Sequence, residues 1–263
     1  MDAAIIPAAA FAPPPSLPAA AKRQRLDAAV VRRTPETLHP ALWLGHQLGR
    51  TGAQTVASGF ARLDAELPDG GWPRGALSEL LLAHPGIGEM RLLAPALVAT
   101  QREGRLVMLF DPPAALAAAA LAALGFAIDE LLVVETRNDS VWALEQALKS
   151  GHVGAIVAWL PQRLRAERLR RLQLAAHRHD GVAFVLRESA AAARPTAAPL
   201  RVALHAGGAD RVQLHILKRR GPPLASPLEL ELPSVLSAAA RRRSANGSAK
   251  ARRLPAATFI DVA

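Results

Sequence analysis

The residues Ala83, His84, Pro85, Gly86, Ile87, Gly88, Glu89 and Met90 stand in the frame of a phosphate-binding loop, G-x-x-x-x-G-K-[ST]. In that pattern glycines let backbone N–H groups converge on the phosphates, the lysine reaches the β and γ oxygens, and the hydroxyl holds Mg²⁺. Here Gly88 keeps the turn, but Ala83 replaces the first glycine, Glu89 stands where the lysine belongs, and Met90 has no oxygen for a metal. A carboxylate about 4 Å from a phosphate charge is unfavourable by roughly 4 kcal/mol at an effective dielectric near 20, which costs several decades of affinity. The expectation is a loop that binds no nucleotide in the usual mode.

Other chemistries find less support still. The chain has no cysteine, which removes disulfides and thiolate metal sites and suits a reducing compartment. His177 and His179 form an H-x-H without further ligands nearby, and no G-x-S-x-G elbow occurs, so neither a metal nor a serine nucleophile is expected. The residues predict no cofactor and no enzyme.

Elements that would position the loop follow from the apolar pattern. Short apolar runs at 76–82, 105–110, 131–135, 152–160 and 181–187 alternate with helical stretches at about 89–102, 113–124, 139–150 and 163–178. That alternation predicts an α/β fold with a doubly wound, mostly parallel sheet. After 190, the segments PLRVALHA, DRVQLHILKRR and PLELELP alternate apolar with polar residues, the mark of antiparallel strands with one solvated face, and are expected to extend the sheet.

The ends differ from this core. Residues 1–37 are rich in Ala and Pro and predict a disordered arm, 38–54 a short helical linker, 55–233 the core, and 234–263 a disordered basic tail. The net charge of +10 is concentrated at the ends: −1 over residues 55–190, +3 over 1–54 and +8 over 191–263. Asp2 and the prolines of the first segment argue against a secretory signal, and no apolar run is long enough to span a bilayer. A cytoplasmic protein with no membrane contact is expected.

Residues upstream of the loop narrow the fold further. Gly59, Leu63-Asp64, Gly70-Gly71, Pro73 and Gly75, with the segments QREGRLVMLFD and ALEQALKSGHVGAIVAWL, resemble the RecA ATPase core. Within it they resemble the ImuA-type proteins associated with bacterial translesion DNA synthesis, over about 55–233. The resemblance implies a RecA-like sheet whose ATP site is degenerate. The strand-four aspartate that helps hold Mg²⁺ falls on Trp159, and the glutamate that positions the attacking water falls on Pro113. With the lysine and hydroxyl also gone, four parts of phosphoryl-transfer machinery are missing.

The resemblance also implies partners: the Y-family-like protein ImuB, an error-prone C-family DNA polymerase, a RecA filament and DNA. The segment LKRRG places Lys218, Arg219 and Arg220 at the basic element that reaches across subunits in RecA-type filaments. Arg241, Arg242, Arg243, Lys250, Arg252 and Arg253 form a second basic cluster suited to salt-sensitive contact with DNA or an acidic partner. The Arg-rich stretch 162–179 reads as a solvated helix face. The function expected is a non-catalytic scaffold in SOS-induced error-prone synthesis. The alternatives are a weak ATP-binding repair protein with a rearranged loop, and a SulA-like cell-division inhibitor.

Overall fold

The computed structural model describes residues 54–235, apart from 137, 138, 162, 209, 223 and 225. The expected arm, the linker up to 53 and the tail from 236, with the basic cluster at Arg241 to Arg253, lie outside the described residues.

The chain opens with a two-stranded antiparallel ribbon, β1 (Thr55–Val56) and β2 (Trp72–Pro73), joined through a single helical turn, α1 (Ala61–Asp64). The main sheet is built from β3 (Leu77–Leu82), β4 (Leu106–Phe110), β5 (Leu131–Val134), β6 (Val153–Trp159), β7 (Val182–Glu188), β8 (Leu200–Ala206), β9 (Arg211–Lys218) and β10 (Leu228–Glu231). Its spatial order is β10-β9-β8-β3-β7-β6-β4-β5. The six strands from β8 to β5 are parallel, and β9 and β10 add antiparallel pairs.

Crossover helices cover both faces. On one side α2 (Glu89–Arg102) and α3 (Ala118–Ala123) bury Leu92, Leu93, Leu97 and Leu121 against Leu80, Leu109, Val157 and Phe184. On the other, α4 (Ser140–Ser150) and α5 (Ala166–Ala176) bury Leu144, Leu148, Leu169 and Leu172 against Leu77, Phe110 and Ile156. The strands between them are apolar at successive positions because both of their faces are covered. Among the described residues no helix is long and apolar enough to cross a membrane.

The fingerprint before the loop has structural causes. Gly59 has φ +82°, and a Cβ there would lie 2.4 Å from the Pro95 side chain on α2, so both backbone conformation and space require glycine. Leu63 is fully buried, and Asp64 Oδ1 accepts the Ser58 N–H at 2.8 Å. Trp72 is buried edge-on to Phe184, with ring centroids 5.2 Å apart.

Two expectations need correction. The second of the expected helical stretches, from 113, begins only at Ala118, because Pro112 and Pro113 hold the preceding backbone away from helical geometry. Strand β8 pairs antiparallel with β9 as expected, but it is also parallel to β3 and is buried from Leu200 to Leu204, without the expected solvated face there. Its alternating arginine misled the pattern: Arg201 is itself buried, opposite Glu79 of β3.

Candidate functional site

Strand β3 delivers the loop 83–88 to the N-terminus of α2, the strand–loop–helix arrangement that presents backbone amides to an anion. The amides are occupied from within the chain. Glu89, the first residue of α2 and only 4% exposed, accepts the Gly86 N–H at 2.8 Å through Oε1 and the Gly88 N–H at 3.1 Å through Oε2. The carboxylate lies where an anionic ligand would meet those donors. Sequence reasoning treated Glu89 as a repulsive charge; its geometry makes it an internal anion.

The loop is also strapped from outside. Gly88 has φ +117°, and a Cβ there would lie 2.5 Å from the Leu232 side chain, so the segment after β10 packs directly on the turn. Arg91 on α2 holds that segment, donating through Nε to the Pro233 carbonyl at 2.7 Å and through Nη2 to the Leu232 carbonyl at 3.1 Å and Asp210 Oδ1 at 2.6 Å. Ala83, Pro85 and Gly86 are exposed, whereas Met90 packs against the main core.

The two positions at which the resemblance implies acids carry Pro113 and Trp159. Pro113 is exposed, and Trp159, at the end of β6, packs on the core with its indole N–H buried and unpartnered among the described residues. Asp111, with φ +49°, is the carboxylate at the end of β4. Both of its oxygens are engaged at 2.6 Å, by the Thr136 N–H and the Thr136 hydroxyl. It closes the turn beyond β5.

The LKRRG segment is partly tied down. Lys218 Nζ donates to the Thr196 carbonyl at 3.2 Å, and burial beside Arg201 lowers its pKa, with Glu79 opposing. Arg219 pairs with Glu66 Oε2 at 2.8 Å and bonds the Glu66 carbonyl, while Arg220 is exposed. Of the three, Arg220 is the side chain most free to meet a partner.

A cluster that sequence reasoning missed lies between β3, β7 and β8. Glu79 is fully buried and accepts Arg187 Nη1 at 2.8 Å through Oε1 and Arg201 Nε at 2.7 Å through Oε2. Arg201 also donates to the carbonyls of Ala191, Ala192 and Arg194, which pins the crossover after β7 onto the sheet. The available signal was a charge inside each of three mainly apolar strands, Glu79 against Arg187 and Arg201.

At the opposite end of the sheet, His179 is buried with neither ring nitrogen hydrogen-bonded among the described residues. Burial pushes its imidazole below the usual range; Asp180 opposes this, and Arg105 and Arg74 add to it. The unfolded chain takes up that proton near pH ~6.5 and the folded chain only at lower pH. The stability tied to a neutral His179 is therefore complete above ~6.5 and declines as pH falls through the window below, by at most ~1.4 kcal/mol per pH unit. Urea midpoints at pH 7.5 and 5.5 should differ less in His179→Phe than in the natural sequence; an unchanged difference would assign the pH dependence to other groups.

Comparison with known proteins fits this geometry. The family model described as cell division inhibitor SulA matches residues 75–183. RecA of Borrelia hermsii is 32% identical over 108 residues, which is 40% of this chain and 30% of that protein. RecA of Streptococcus thermophilus is 35% identical over 103 residues, 39% of this chain and 27% of that protein. SulA of Serratia marcescens is 26% identical over 125 residues, 47% of this chain and 74% of that protein. The chain thus spans about 30% of the length of the curated RecA relatives it matches. Over the central part of its sequence the chain is similar both to RecA and to SulA, and its mostly parallel sheet with helices on both faces is compatible with a RecA-like fold.

Proposed function

We propose that this chain is a non-catalytic RecA-like accessory protein of the SOS response. In this reading it serves as a scaffold in translesion DNA synthesis, with ImuB and an error-prone C-family polymerase as partners and a RecA filament or DNA as further contacts. The likeness to RecA and SulA supports the SOS setting. The observation that carries the non-catalytic part is the Glu89 carboxylate on the Gly86 and Gly88 amides, where a nucleotide would need to be.

Strand β5 supports a role in assembly. It ends the sheet, its outer edge pairs with no strand among the described residues, and Leu132 and Val133 are each 44% exposed. Apolar edges without lysine or proline are ready to accept another chain.

Co-purification of the tagged protein with ImuB, and separately with RecA on single-stranded DNA, tests the reading at two salt concentrations. ImuB should be retained by the natural sequence and lost on Leu132→Lys with Val133→Lys, and RecA retention should fall on Arg220→Glu. If neither partner is retained, the translesion reading fails.

A second reading, a SulA-like inhibitor of cell division, is favoured by the family match over residues 75–183. Retention of the cell-division GTPase in place of ImuB would establish it.

A further inference from the structure

We propose that the outward face of α4 and α5 docks an acidic, amphipathic segment of another protein. The two helices lie side by side. Arg171 Nη2 meets Glu145 Oε2 at 2.7 Å, and Arg168 Nη1 lies 3.6 Å from Asp139 Oδ1. Their inner faces are buried in the sheet, and their outer faces meet solvent.

Trp142 on α4 is 60% exposed and Leu174 on α5 is 61% exposed, the two most exposed large apolar side chains among the described residues. Leu174 stands one helical turn from Arg170 on α5, and Arg178 lies in the turn that follows the helix. Arg165, Arg170 and Arg178 are exposed and form no ion pair among the described residues. A solvated helix face has no need of a tryptophan and a leucine set among arginines. Those residue types are the ones that anchor protein interfaces.

The cations of residues 163–178 are all arginine, with no lysine. Guanidinium is the more weakly hydrated cation and binds carboxylates through paired, parallel hydrogen bonds. Charge therefore selects an acidic partner, and the two apolar anchors select one that is apolar along a stripe, as an amphipathic helix is. A second copy of this chain would bring arginine against arginine. Single-stranded nucleic acid also carries the right charge and would find one ring, Trp142, but stacking successive bases takes several aromatic side chains, and Leu174 beside the arginines supplies none. The inference holds under either proposed function, since it uses neither the loop nor the β5 edge.

Fluorescence anisotropy on the full-length protein tests it. The probe is a labelled helical peptide of about 18 residues with leucine at i, i+4 and i+7 spacing and glutamate elsewhere; the comparators are the same peptide with lysine for glutamate and an oligo-dT of similar length. The acidic peptide should bind at micromolar levels, weaken with salt, and lose about tenfold or more in Arg170→Glu with Arg178→Glu and in Trp142→Ala. These side chains are exposed, and matching melting curves would verify that the variants fold. Binding of the acidic peptide no tighter than the lysine peptide, or equal binding by the variants, overturns the proposal. So does tighter binding of oligo-dT that the same variants abolish.

Discussion

Replacing Glu79 by leucine should destabilise the fold by about 3–5 kcal/mol, the range for removing one partner of a buried ion cluster. The side chain is fully buried, and both Arg187 and Arg201 direct guanidinium N–H groups at its two oxygens. Without it two cations remain in the interior of the sheet, and Arg201 loses the charge that orients it toward the carbonyls of residues 191–194. Chemical denaturation of Glu79→Leu measures the cost. Adding Arg187→Met and Arg201→Met should recover part of it and leave those carbonyls short of a donor. The effect has a definite pH window. Burial alone would raise the Glu79 carboxyl, but hydrogen bonds from Arg201, Thr196 and Arg187 outweigh it and hold the pKa below the usual range. A depressed carboxyl contributes its full stability above the unfolded value of about 4.3 and loses it as pH falls through the folded value. The gap between the natural sequence and Glu79→Leu should therefore be constant near neutrality and close in acid. A gap of less than 1 kcal/mol at pH 7 would mean that the arginines find other partners or water.

The centre of the parallel sheet was legible because its strands are buried on both faces. Runs such as 152–160 and 181–187 have no solvent side to interrupt them, so they stand out as short apolar blocks between helices and became β6 and β7. Strand β8 was misread because the rule that charge faces water fails when a charge has a buried partner. Arg201 in β8 and Glu79 in β3 are opposite one another in register but more than a hundred residues apart in sequence, and only the crossover order brings them together. The late start of α3 was legible in principle: two consecutive prolines precede it. The glycine-rich approach was a better guide than the loop it leads to. Gly59 must pack on Pro95 whatever occupies the loop, so its constraint belongs to the scaffold and not to the loop's chemistry.

For the candidate site, the sequence revealed which residue types were missing but not what stood in their place. Trp159 and Pro113 follow directly from position, and both lack a carboxylate. That Glu89 turns back onto its own loop depends on the rotamer at the first position of α2 and on the positive φ of Gly86 and Gly88, which no residue pattern specifies. The strap of Leu232 across Gly88 is farther still from sequence reading, since it joins the end of the core to its first crossover. The LKRRG segment shows a similar division, with Arg219 bound to Glu66 within the fold and Arg220 exposed.

Replacing Glu89 by alanine should convert the loop from a self-occupied anion site into an open one. The substitution removes two hydrogen bonds from backbone N–H groups to a buried carboxylate, at 2.8 and 3.1 Å, and leaves those donors unsatisfied, a cost of about 1–3 kcal/mol. The same vacancy makes the variant responsive to anions. Millimolar phosphate or sulfate should raise its melting temperature, because a ligand that binds only the folded state stabilises by about 2.7 kcal/mol at a hundredfold excess over Kd. The natural sequence, whose carboxylate is tethered at the site, should show no such response to phosphate or to Mg-ATP. Glu89→Gln separates charge from shape: its amide oxygen can accept one of the two N–H groups, so its stability should lie between those of the natural sequence and the alanine variant. Restoring Lys at 89 and Thr at 90 together should bring nucleotide affinity without hydrolysis, since Pro113 and Trp159 still supply no acid for water or metal. Stabilisation of the natural sequence by Mg-ATP would refute the self-occupied loop, and so would an alanine variant as stable as the parent and indifferent to phosphate.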